Sequence, residues 1–136
     1  MSGLILELSK DESRAFFEIL NSELRRLANE YDDDTGRIPG KRRMKARPAL
    51  DSVLKRWASA QPTVPGTDLV VLDEIRPCSV FLSETERKTC GGVIRDGLKR
   101  MEKDLADAPA VLTGVYAEIR RTADAAETIS AALGAA

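Results

Sequence analysis

From Leu4 to Leu8 the chain reads LILEL, a short apolar run that predicts a strand and ends at Ser9-Lys10-Asp11-Glu12. A serine followed three residues later by a glutamate is the capping-box pattern, in which each side chain satisfies the other residue's orphan amide, so a helix is expected to start there. Beyond it Phe16, Leu20, Leu24, Leu27 and Tyr31 recur at steps of four or three, opposite a face of Glu18, Glu23, Arg25 and Glu30. This spacing predicts one amphipathic helix that stops near Asp32. The turn-rich segment Asp32 to Gly40 reads as a loop. A second helix carries Leu50, Val53, Leu54 and Trp57; Pro48 suits its first turn, or the helix starts earlier and kinks there. With two prolines and a glycine, Gln61 to Thr67 reads as a linker.

After the linker, Asp68 to Ile75 (DLVVLDEI) is rich in branched apolar residues and is read as a strand, with a further strand at Cys78 to Leu82 beyond Pro77. Ser83-Glu84-Thr85-Glu86 is another capping box, opening a third helix that carries Val93, Ile94, Leu98, Met101 and Leu105. Asp107-Ala108-Pro109 reads as a tight turn into a fourth helix. There Leu112, Val115, Ile119, Thr122, Ala126, Ile129 and Leu133 alternate steps of three and four, the spacing of a helix packed nearly parallel to another.

The two halves echo each other. Residues 8–27 (LSKDESRAFFEILNSELRRL) and 82–101 (LSETERKTCGGVIRDGLKRM), offset by 74 positions, agree at Leu8/Leu82, Ser9/Ser83, Glu12/Glu86, Leu24/Leu98 and Arg26/Arg100. The expected fold is therefore mainly α (α+β): pseudo-duplicated strand-plus-helical-hairpin units, 1–60 and 68–136, joined by 61–67 in one domain. They would close as a four-helix bundle with a small β-sheet at one side.

Composition narrows the function classes. With 136 residues the chain is one ordinary domain in size, and a formal net charge of -1 gives no overall pull toward nucleic acid or membrane. No signal peptide or membrane span is evident, so a cytoplasmic location is expected. Cys78 and Cys90 make no disulfide framework and read as reduced, buried thiols. The sequence contains no histidine, which removes the usual general base near neutral pH, the histidine-dependent nucleophile schemes and an ordinary single-chain zinc site. Neither a cofactor nor a metal is expected.

Local features could still carry chemistry. Lys41, Arg42, Arg43, Lys45 and Arg47 put five basic residues within seven. The cluster is either a solvated turn, a docking patch for an acidic protein, or a phosphate grip on nucleic acid. Asp32, Asp33 and Asp34 do not follow a calcium-loop spacing and read as a helix-ending acidic turn. Gly91, Gly92 and Gly97 fall inside the third helix, where each costs about 1 kcal/mol relative to alanine. They imply close intramolecular packing, an intermolecular contact, or a break. Trp57 and Tyr31 lie on apolar stripes and read as core anchors. Glu74, Arg76, Cys78 and Glu84 have side chains suited to catalysis, but no spacing that fixes a site.

The function expected from this pattern is a non-catalytic protein–protein interaction module: a small cytoplasmic adaptor, regulator or complex subunit, binding another protein or itself as a homodimer. The alternative is a nucleic-acid-binding regulator that uses 41–47. An enzyme and a membrane partner are not expected.

Overall fold

The computed structural model describes residues 3–32, 41–107 and 113–134, with side chains for 3–27, 46–107 and 114–134. The order of elements is β1 (Leu4–Leu8), α1 (Lys10–Asp32), α2 (Lys41–Ser59), β2 (Cys78–Leu82), α3 (Glu84–Asp107) and α4 (Thr113–Gly134), with a 3-10 turn at Leu72–Glu74. The described residues are thus mostly helical, with a small antiparallel sheet.

Both capping boxes form. The Ser9 amide donates to Glu12 Oε1 at 3.0 Å and the Glu12 amide to Ser9 Oγ at 3.2 Å. The Ser83 amide donates to Glu86 Oε1 at 2.8 Å and the Glu86 amide to Ser83 Oγ at 3.2 Å. Each strand therefore ends at a reciprocal cap that starts the next helix. The strands pair antiparallel from Leu4 opposite Leu82 to Leu8 opposite Cys78.

Helix α1 is central, meeting α2, α3 and α4, while α2 also meets β2 and α3. Trp57, Phe16, Leu20, Leu50, Leu82, Ile94, Ile129 and Leu133 are fully buried at these crossings. At the open end of the α3–α4 hairpin, Arg87 Nη1 donates to the Leu133 carbonyl at 2.7 Å and Nη2 to Glu84 at 2.8 Å. A cation there answers carbonyls that a helix C-terminus leaves without intrahelical partners.

Several expectations are corrected. Asp68 to Ile75 is not a strand: its pairing is limited to a single bridge, Thr63 with Val70. The Val64 amide donates to the Leu69 carbonyl and the Val71 amide to the Pro62 carbonyl, closing a local loop. Pro62 and Pro65 have no amide to extend that pairing. Gly66 turns the loop at φ 78, and Leu69 and Leu72 face solvent at 68% and 53% exposure. Helix α2 begins at Lys41, so that Pro48 lies inside it and not in its first turn, the earlier start being the second of the two alternatives.

Glu23, expected on the polar face of α1, is buried because α1 has neighbours on several sides. In α3 the buried line is Glu86, Cys90, Ile94 and Gly97, with Val93, Leu98 and Met101 only partly covered beside it. Val115 stays exposed with Tyr116, since apolar spacing gives α4 a face but not a neighbour to cover it. The expected loop at 33–40, the turn at Ala108-Pro109, Leu112 and the Tyr31 side chain lie outside the described residues.

Candidate interaction surfaces

Strand alternation sends Leu6, Leu8, Val80 and Leu82 into the core and leaves Ile5, Glu7, Ser79 and Phe81 outward. Ile5 and Phe81 stand directly opposite each other, 65% and 48% exposed, as an apolar cross-strand pair facing solvent. The Phe81 ring lies over Gly3, where a β-carbon would come within 2.5 Å of ring carbon Cε2.

Helix α2 fixes the other side of this ribbon. Arg56 Nη1 donates to the Phe81 carbonyl at 3.1 Å and to Glu86 Oε1 at 2.5 Å. One carboxylate thus caps α3 and ties it to α2. Hydrogen bonding from Arg56 holds the Glu86 carboxyl below the ordinary glutamate value, against the opposing effect of burial. Because the Phe81 carbonyl is taken, α2 blocks that edge of β2 from pairing with another strand.

Beneath the ribbon, Ser13 collects a buried polar cluster. Trp57 Nε1 donates to Ser13 Oγ at 2.8 Å and Gln61 Nε2 at 3.4 Å, which leaves the hydroxyl proton for Cys78 Sγ at 3.7 Å. Gln61 also reads both backbone groups of Arg76: Nε2 donates to its carbonyl at 3.0 Å and Oε1 accepts from its amide at 2.7 Å. This amide joins the two ends of the 62–75 excursion, outside the backbone hydrogen bonds that close it further in. Phe17 stacks on Trp57 with ring centres 4.7 Å apart.

Among the residues singled out from sequence, Lys41, Arg42, Arg43 and Lys45 form the start of α2, with side chains outside the described set. Arg47 is exposed and, with Leu24, Arg25, Pro48 and Asp51, lines an open groove of about 560 Å³ between α1 and α2. Gly91, Gly92 and Gly97 sit in an unbroken α3. A β-carbon on Gly97 would meet Ile19 Cγ2 at 2.9 Å and one on Gly91 would touch Leu133 Cβ at 3.8 Å, while Gly92 faces open space. Gly97 is therefore a close-approach position, and Gly92 is not.

Trp57 is fully buried. Among the described residues, no hydrogen bond or ion pair joins Glu74, Arg76, Cys78 and Glu84 through their side chains; Glu84 instead pairs with Arg87 and Lys88. Cys90 is buried, and burial together with the nearby Glu86 charge pushes its thiol up to about 12. Among the described residues no group of three or more His, Cys, Asp and Glu side chains could hold a metal ion, and no helix is long and apolar enough to cross a membrane.

The sequence did not single out Ser13, Arg56 or Gln61, because the partners of their side chains lie 15 or more positions away. No family model matches the chain, and neither a curated protein nor a solved structure matches it.

Proposed function

We propose that the chain is a non-catalytic protein–protein interaction module, a small adaptor, regulator or complex subunit, that docks a partner or a second copy through the outer face of the β1–β2 ribbon. The Ile5–Phe81 pair carries this reading: two large apolar side chains, side by side and open to water on a ribbon held at its β2 edge by Arg56. Apolar surface in such a position gains free energy when a partner covers it. The high-pKa Cys90 thiol adds support, since a thiol held protonated is a poor nucleophile.

The same proposal takes 1–60 and 68–136 as related halves of one domain closing as a four-helix bundle in the cytoplasm. Its support is the placement of a strand and a capping box at the head of each half.

Affinity purification with the wild-type chain and the Ile5→Lys/Phe81→Lys variant tests it, with circular dichroism as the check on folding. The expected result is a partner, or self-association by light scattering, that the double variant loses. Equal capture by both proteins, or none by either, rejects it. The alternative, a nucleic-acid-binding regulator using 41–47, predicts instead that duplex DNA binds at low salt and is released steeply as salt rises.

A further inference from the structure

We propose a second docking site in the groove between α1 and α2, taking an acidic, partly apolar segment of a partner protein on Arg25 and Arg47. This rests on the reading of the chain as a docking module but uses a different surface. Leu24 and Pro48 give the groove an apolar wall, and Arg25, Arg47 and Asp51 give it charge. Asp51 is already answered by Lys55 of its own helix at 3.1 Å.

The two arginines are not. Arg14, Arg26, Arg56, Arg87, Arg100, Arg120 and Arg121 each lie within 4.0 Å of a carboxylate, whereas among the described residues no ion pair engages Arg25, Arg47, Arg76 or Arg95, and of these four only Arg25 and Arg47 line this groove. Two guanidiniums from different helices, with no ion pair among the described residues, share one groove, and Lys41, Arg42, Arg43 and Lys45 precede Arg47 on α2.

An incoming carboxylate is held by forked, charge-assisted hydrogen bonds. A neighbouring apolar side chain covers Leu24 and Pro48. Among the described residues the groove lining contains no aromatic side chain on which a base could stack, and it does contain a carboxylate, which favours a peptide over nucleic acid.

The test is fluorescence anisotropy on the full chain at low salt. The probes are a labelled synthetic peptide of alternating glutamate and leucine, its glutamine counterpart, and an oligothymidine. Binding of the acidic peptide alone is expected. Arg25→Glu/Arg47→Glu should weaken it about tenfold or more, Arg25→Gln/Arg47→Gln should weaken it less, and Arg120→Glu should leave it unchanged, with all variants folded by circular dichroism.

No peptide binding, equal binding of the glutamine peptide, or wild-type affinity in the charge-reversed variant overturns the site. Preferential oligothymidine binding that the same variant loses also overturns it, assigning the groove to nucleic acid. Loss of the groove with the ribbon-dependent partner retained leaves the proposed function standing; the reverse result removes the ribbon face alone.

Discussion

Trp57 Nε1 donates a hydrogen bond of 2.8 Å to Ser13 Oγ, joining α2 to α1 through a pair of fully buried polar atoms. Ser13→Ala leaves the indole N–H and the Gln61 amide without that acceptor, and an orphaned buried donor costs about 1–3 kcal/mol. Urea unfolding followed by tryptophan fluorescence should show the loss. Ser13→Thr, which retains the hydroxyl, should recover part of it.

Gly92 and Gly97 should respond to alanine with opposite signs. At Gly92 the new methyl group enters open space, and the gain in helix propensity stabilises by up to about 1 kcal/mol. At Gly97 it meets Ile19 at 2.9 Å, and overpacking costs about 1–3 kcal/mol, exceeding the same propensity gain. Thermal melts of the two variants beside wild type decide this directly.

Glu86 should make stability depend on acid. Its carboxyl is held below the ordinary glutamate value in the folded chain, so its contribution is fully present above that ordinary value and is lost as the pH falls through the lower, folded one. Glu84, lowered chiefly by its hydrogen bond from Arg87, titrates in the same direction. Urea midpoints should therefore decline from about pH 5 downward, and Glu86→Gln should flatten that decline without abolishing it.

The Cys90 thiol, buried and pushed up to about 12, should resist iodoacetamide at about pH 8 while the chain is folded, because the thiolate is the reacting form. Mass spectrometry of native and urea-unfolded samples should find Cys90 alkylated only in the unfolded sample.

Local rules recovered the parts of the fold that are local. Ser9 with Glu12 and Ser83 with Glu86 are separated by three residues, so sequence alone announces both helix starts. Leu4–Leu8 and Cys78–Leu82 were legible as strands for a similar reason, and each is the other's partner. Asp68–Ile75 has equally strand-like composition, but its pairing ends at one bridge beside two prolines, and propensity cannot supply a neighbour. Glu23 and Val115 failed likewise: amphipathic spacing marks a face, while burial depends on which helices lie against it.

The candidate surfaces divide along the same line. Arg47 stood out by its place in a basic run, but Arg25, which shares its groove, sits on another helix and became a partner only through tertiary packing. The exposed Ile5–Phe81 pair needed the strand register, which no spacing within either strand discloses.

Gln61 grips both backbone groups of Arg76, and so pins together the two ends of the loop whose tip is Pro65-Gly66. Lengthening a loop whose ends are already pinned adds entropy only logarithmically. A foreign peptide or epitope spliced at that tip should be displayed without unfolding its host, provided Gln61 is kept; this makes the tip a natural place to graft a reporter.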